Sequence, residues 1–404
     1  MNIPRPDFQN TEIAFKHKSD SELNLAWMVF RAINIKPLVT IGPLMVTSAL
    51  KLKLPITGIL RWTVFRLFCG GETLDACRQT VGRLKDLSVF SILDYGVEGE
   101  KSEIGYDGTL REVLSSIAKT KGQESTPFCV FKVTALGRFE LLETITTSGV
   151  SQLTPELAAE WQAVVGRVNT ICEAAILAGK LVMIDAEETW IQGAIDILAL
   201  SMMRKFNAVQ PHNAGQAKIY TTIQMYRTDG LQQIETLIET AHKEEWLPGI
   251  KLVRGAYLEK ERQRAATMGY KSPIQETKEL TDQSYDLALK RILSSPTHGN
   301  ICAGTHNAHS TQAVIDLMGR HSLSPTSPRV WFAQLLGMSD DLTFNLAHAG
   351  FLAAKYVPYG PIAAVLPYLF RRARENSSIA GQSSRELQLI ENELSRRAGK
   401  SASV

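Results

Sequence analysis

The stretch "TPELAAEWQAVVGRVNTICEAAILAGKLVMIDAEE", residues 154–188, holds one helix and one strand in succession. Thr154 followed by Pro155 and Glu156 reads as an N-cap with a proline in the first helical turn, where an N–H would be unsatisfied anyway. After Gly179 the pattern changes to "LVMIDAEE" (181–188), a short apolar run that ends in acids. An apolar run of this length without alternation suits a strand buried on both faces, as in a parallel sheet.

The same alternation extends in both directions. Strand-like runs are "SVFSILDYG" (88–96), "FCVFKVTAL" (128–136), "IYTTIQMY" (219–226), "GIKLVRGAY" (249–257), "ICAGTHN" (301–307), "RVWFAQLLG" (329–337) and "AAKYVPYG" (353–360). With 181–188 they number eight, and amphipathic stretches such as "TDGLQQIETLIETAHKEE" separate them. Eight βα units close best as an α/β (β/α)8 barrel. Residues 1–85 read as an N-terminal helical arm with turns at Pro37, Pro43, Pro55 and "GGET", residues 86–380 as the barrel, and 381–404 as a charged helix and tail.

The composition is ordinary for a globular chain: 404 residues, 44% hydrophobic and 21% charged, with a formal charge of +3. So small a charge without a dense basic stripe gives no reason to expect a nucleic-acid partner. Five cysteines without a CxxC motif point to a reducing compartment and away from structural zinc. The acid-containing N-terminus does not look like a mitochondrial presequence. The run 37–50, "PLVTIGPLMVTSAL", is too short to span a bilayer. Together with "KLPITGILRWTVFRLF", it reads either as a buried helical pair or as a segment touching a membrane surface.

Barrel ligands bind at the C-terminal ends of the strands. The polar residues there are Asp94, Lys132, Asp185, Glu187, Glu188, Gln224, Arg254, Tyr257, Thr305, His306, Asn307, Gln334 and Tyr356. Lys132, among apolar neighbours, needs either an anionic ligand or a strand-end carboxylate. Asp185 pairs with it, orients a tyrosine, or joins an acidic cluster capping the next helix. His306 and His309 have a metal-like spacing without a third ligand, so no metal is expected. Neither GxGxxG nor a P-loop occurs, so a nucleotide cofactor would be held by barrel loops. In "PYLFRRARENSS" (367–378), Arg371 and Arg372 point about 100° apart on a helix. They form either a solvated basic face or a two-fork anion clamp supported by Glu375 one turn on.

Taken together, "FKVTAL", "IDAEE", "KLVRGAYLEKER", "GTHNAHS", "FAQLLGM" and "KYVPYGP...PYLFRRARENSS" resemble the proline dehydrogenase family, over about residues 70–390. The resemblance implies a distorted TIM-type barrel holding FAD, with a final helix over the flavin, and oxidation of L-proline to Δ1-pyrroline-5-carboxylate. It implies that Lys132, Arg371 and Arg372 bind the proline carboxylate. Tyr257, Leu335, Tyr356 and Tyr368 surround the ring, and Asp185 orients this shell. Gln224, Lys251, Gly255, Lys278, Thr305, His306, Asn307 and Glu375 match flavin positions. Lys251 stands where the best-known bacterial branch has an arginine, as is usual in the mitochondrial-type branch. A gating glutamate after the first strand would be Glu98 or Glu100. Implied partners are a quinone acceptor, a membrane surface and a pyrroline-5-carboxylate dehydrogenase that takes the product. The expected place is the bacterial cytoplasm, peripheral at the inner membrane, or the mitochondrial inner membrane in a eukaryote. Rival readings are a hydroxyproline dehydrogenase, which Tyr356 disfavours by filling the space for a 4-hydroxyl, and a Schiff-base aldolase with Lys132 as a mid-strand nucleophile.

Overall fold

The computed structural model describes residues 3–52, 54–96, 102–209, 215–295, 299–378 and 382–401. Its strands are β1 (Phe90–Tyr95), β2 (Phe128–Phe131), β3 (Leu181–Ile184), β4 (Ile219–Gln224), β5 (Gly249–Val253), β6 (Asn300–Gly304), β7 (Val330–Leu335) and β8 (Ala353–Tyr359). They follow one another in chain order around a closed barrel. The paired strands run parallel, as at Phe128↔Leu181 between β2 and β3 and Thr221↔Ile250 between β4 and β5. Each of the eight runs read from the sequence meets one strand, β6 beginning one residue before its run, so the (β/α)8 expectation holds. The helices are α1 (Thr11–Phe15), α2 (Asp20–Ile33), α3 (Lys36–Lys51), α4 (Thr57–Leu60), α5 (Arg66–Phe68) and α6 (Leu74–Asp86) before β1, then α7 (Glu103–Thr120), α8 (Phe139–Ser148) and α9 (Pro155–Leu177). They continue with α10 (Thr189–Phe206), α11 (Gly230–Lys243), α12 (Leu258–Met268), α13 (Lys278–Leu293), α14 (Ala308–Arg320), α15 (Asp340–His348), α16 (Ile362–Ser378) and α17 (Gln382–Ser401).

Two compact units divide the chain. One is Met1–Pro4 with Ile92–Ala333, the other Arg5–Ser91 with Gln334–Val404. In the first, β2 and β3 are buried along their whole length. Their outward residues pack with α8, α9 and α10 in a core that includes Phe131, Leu141, Trp161, Ile184 and Leu198. The α9 start follows the expected pattern: the Thr154 side chain accepts from Leu157 N, with Pro155 in the first turn. All five cysteines are free and buried.

In the second unit, α2 begins with a capping box between Ser19 and Glu22. Phe15, Leu23, Phe30, Phe68, Val365, Leu369 and Ile390 form its core. The "GGET" segment does more than turn. Gly70 N donates to Pro358 O (2.8 Å), and Gly71 bridges to Tyr359 of β8. A Cβ on Gly70 would sit 2.5 Å from Val357 Cγ1, so this close approach requires glycine. Helix α3 is apolar around most of its circumference. Pro43 turns inward while Ile41, Leu44 and Met45 are exposed, followed by Leu52, Ile59 and Trp62 beyond it. The 37–50 run is therefore not a simple buried pair. No described helix is long and apolar enough to cross a membrane.

Candidate active site

Within the first unit, the strand ends gather charge in an otherwise apolar barrel. β2 stops at Phe131. Lys132 follows it in extended conformation, at the N-cap of a 3-10 turn. The mid-strand placement of Lys132 is therefore off by one residue, because the turn at Val133 ends the ladder just before it. Asp185 directly follows β3, and its N–H donates to Phe131 O at 3.1 Å, which extends the pairing past the last formal strand residue. Lys251 lies inside β5.

These residues converge. Asp185 Oδ2 is 3.2 Å from Lys132 Nζ, Asp185 Oδ1 is 2.6 Å from Lys251 Nζ, and Asp94 Oδ2 is 3.9 Å from Lys132 Nζ. Asp185, Lys251 and Asp94 are all buried. Buried charges persist only when compensated, and here two carboxylates balance two ammonium groups. One carboxylate held between two cations fixes both lysine side chains.

The other acids of "DAEE" have separate roles. Glu187 accepts from Thr134 N (3.0 Å) and Thr134 Oγ1 (2.5 Å). Its main-chain O accepts from Gln224 Nε2 at 2.8 Å, which ties Gln224 to the loop after β3. Glu188 occupies the N-cap position of α10 without a side-chain capping bond and instead pairs with Lys260 at 2.9 Å. The cluster thus does not cap the helix. Burial pushes the Glu187 carboxyl up to about 7, outweighing the hydrogen bonds from Thr134 that favour its charged form. A folded pKa above the unfolded value near 4.5 gives stability that is complete below that value and lost as pH rises through 7. Urea unfolding of Glu187→Gln should therefore lose about 2–3 kcal/mol of the wild-type decline between pH 5 and 8. An identical slope in both proteins would refute this assignment.

A second cluster lies past β5 and β6. Arg254 Nε is 2.6 Å from Asp282 Oδ1, Nη1 donates to Thr305 Oγ1 at 2.7 Å, and Nη2 donates to Ser310 Oγ at 2.9 Å. The guanidinium stands over the Tyr285 ring, 4.4 Å from its centroid. Lys278, on the exposed first turn of α13, joins through Asp282 at 2.5 Å. Asn307 caps α14 by accepting from His309 N and Ser310 N, which commits its side-chain oxygen. His306 beside it is half-buried. Gly255 has φ +127°, and a Cβ there would meet the Tyr226 ring at 2.5 Å, so no other residue fits without displacement. Tyr257 is buried at the N-cap of α12. Arg254 stood among the strand-end residues without a role. Its partners Asp282 and Ser310 come from later helices, and only the fold brings them together. No group of metal-ligating side chains occurs among the described residues.

In the second unit, Leu335 ends β7, Tyr356 lies in β8, and Tyr368 and Arg371 stand one turn apart on α16. Tyr356 and Tyr368 are buried, the latter in the Phe30–Leu369 core. Arg371 is half-buried. The side chains of Arg372 and Glu375 lie outside the described residues, as do Glu98 and Glu100.

The donor set past β4–β6 suits FAD. These groups are of the kinds FAD would need: an amide on Gln224, cations on Lys251 and Arg254, and at Gly255 a backbone with no side chain to obstruct a close approach.

Fold and strand-end chemistry define the class: a (β/α)8-barrel protein with a buried Lys–Asp–Lys constellation where barrel enzymes bind their substrates. A family model described as proline dehydrogenase matches residues 77–385, and the chain belongs to the proline dehydrogenase family. The mitochondrial proline dehydrogenase 1 of Arabidopsis thaliana is 29% identical, over 97% of this chain and 86% of that protein. Hydroxyproline dehydrogenase of Bos taurus is 31% identical over 95% of this chain and 92% of its own length. Proline utilization A of Bdellovibrio bacteriovorus superposes with a TM-score of 0.67 at 17% identity, covering 92% of this chain. This chain spans 36% of that protein, and at such identity the likeness is one of fold.

Proposed function

We propose that this chain is an FAD-dependent dehydrogenase that oxidises L-proline to Δ1-pyrroline-5-carboxylate and passes the electrons to a quinone. The observation that carries this is Asp185 held between Lys132 and Lys251 at the strand ends of a chain in this family. Lys132, Arg371 and Arg372 bind the substrate carboxylate, the arginines as planar forks and the lysine as a point charge. Tyr257, Leu335, Tyr356 and Tyr368 form the walls around the ring and exclude water. Asp185 is a positioning residue, which holds Lys132 in place. Gln224, Lys251, Gly255, Lys278, Thr305, His306, Asn307 and Glu375 hold FAD, with Arg254 added by its place beside Thr305. When bound, FAD supplies the hydride acceptor for proline C5. The chain's own contribution is to fix the carboxylate so that C5 meets the acceptor in one orientation.

A visible spectrum of the purified protein, before and after anaerobic addition of L-proline, tests cofactor and reaction together. Bleaching of the flavin band is expected, and a colourless protein would refute the reading. Arg371→Met and Arg372→Met should each raise the proline KM about tenfold or more while flavin content holds, from loss of a charge-assisted contact. Normal proline binding in both variants would make the pair surface charge. The bovine relative favours a second reading, hydroxyproline as substrate. Tyr356 argues for proline, and flavin reduction several-fold faster with hydroxyproline would reverse that choice.

The electron acceptor implies contact with a bilayer, either the bacterial inner membrane from the cytoplasmic side or the mitochondrial inner membrane. The exposed Leu44, Met45, Ile59 and Trp62 support such a contact. A pyrroline-5-carboxylate dehydrogenase would consume the product.

A further inference from the structure

Between Arg31 and Gly71 the sequence carries six lysines and arginines and no aspartate or glutamate, against a formal charge of +3 for the whole chain. The segment is also where the exposed apolar side chains concentrate. Ile59 and Trp62 are each 67% exposed, one turn apart. The next turn brings Arg66, whose guanidinium lies 5.3 Å from the Trp62 ring centroid.

Arg66 also lines a pocket of about 90 Å³ within the second unit, with His17, Lys18, Arg83, Asp340 and Lys355 among its neighbours. One water needs roughly 10–15 Å³ of such space, so the pocket has room for a group the size of a phosphate. Its lining carries four basic side chains, Lys18, Arg66, Arg83 and Lys355, and two carboxylates, Glu22 and Asp340. Asp340 is occupied by Lys18 (2.5 Å) and Lys355 (2.8 Å). Glu22 Oε1 alone serves both guanidiniums, at 3.0 Å from Arg83 Nη1 and 3.5 Å from Arg66 Nη2. Each of these arginines has five N–H donors, and among the described residues this is its one ion pair. Burial lowers the His17 pKa to about 3, although Asp340 opposes this, so the imidazole is neutral at physiological pH. The pocket thus combines surplus positive charge and unused donors, and Arg66 links it to the exposed indole of Trp62, a side chain of the kind enriched at membrane–water interfaces.

We propose that this pocket takes the phosphate of an anionic phospholipid, with Arg66 and Arg83 as its forks and the acyl region against Trp62 and Ile59. The inference rests on the membrane contact proposed above and assigns it a specific headgroup site. Phosphate recognition by paired guanidiniums needs no other chemistry.

Co-sedimentation of the full-length protein with phosphatidylglycerol vesicles and with phosphatidylcholine vesicles, at low salt, tests it. Wild type should bind phosphatidylglycerol about tenfold or more tightly than phosphatidylcholine. Arg66→Gln with Arg83→Gln should erase that preference, and Trp62→Ser should weaken binding to both lipids. Arg83→Gln alone, on the surface of α6, gives the same reading should the double variant be unstable. Anionic-vesicle binding unchanged in these arginine variants would overturn the proposal. It also falls if inorganic phosphate raises the Tm of wild type but not of the double variant, while vesicle binding is the same in both, for the pocket would then hold free phosphate. If neither vesicle binds, the membrane contact fails with it. If both bind wild type equally, the contact stands and the headgroup site does not.

Discussion

Asp185→Ala should cost the fold about 3–5 kcal/mol and lower kcat/KM for proline about a hundredfold. The stability loss follows from geometry. The carboxylate lies 3.2 Å from Lys132 Nζ and 2.6 Å from Lys251 Nζ in a buried setting. Its removal brings two ammonium groups together without the charge between them, and breaking a buried pair from one side carries a penalty of that size. The kinetic loss follows because Lys132 would move off its binding direction, and about 2.7 kcal/mol of lost transition-state stabilisation is a factor of a hundred. Asp185→Asn separates the two effects. It keeps the volume and one acceptor, so the protein should fold, yet it lacks the charge that fixes both lysines. Stopped-flow flavin reduction across proline concentrations checks this, with flavin content measured in parallel. If Asp185→Asn matches wild type in both limiting rate and proline affinity, Asp185 is part of the scaffold only.

How much of this was legible in the sequence depends on the range of the interactions. The strands were legible because each is a short apolar run buried on both faces, so composition alone marks it, and polar residues at its end stand out. Lys132 was legible as a cation in need of an anion, and Asp185 as one candidate. That Lys251 shares the same carboxylate was not, since it requires the β3 and β5 ends to face each other inside the barrel. The Arg254 network joins residues 28 to 56 positions apart, beyond any periodic signal. Helix α3 was ambiguous for a different reason. A helix apolar on nearly all sides has no preferred face, so periodicity cannot tell a buried helix from one presented to lipid.

Lys355, one residue before Tyr356 in "AAKYVPYG", carries no sequence signal of its role, because its partner lies in another element. Lys355 is fully buried in β8, 2.8 Å from Asp340 Oδ1, and donates to Met338 O at 2.5 Å. Asp340 also receives Lys18 at 2.5 Å. Burial acts against the Asp340 charge, but Lys18 and Lys355 outweigh it and hold the carboxyl far below the usual carboxylate range. A depressed folded pKa gives stability present above the unfolded value near 4 and lost as pH falls below it. Acid should therefore weaken this unit progressively below about pH 4, as the unfolded chain gains a proton that Asp340 in the folded state does not take. Asp340→Asn should cost about 3–5 kcal/mol at pH 7, since it leaves Lys355 charged in an apolar strand or forces it to deprotonate. The second substitution decides the cause. Lys355→Met removes the stranded charge at similar volume, so adding it to Asp340→Asn should restore about half or more of the loss, as when an apolar side chain replaces a buried ion. Chemical denaturation of the two single variants and the double variant closes the cycle. Additive losses would mean that the two residues stabilise the unit independently, and the ion pair would not be what anchors Lys355 in the barrel strand.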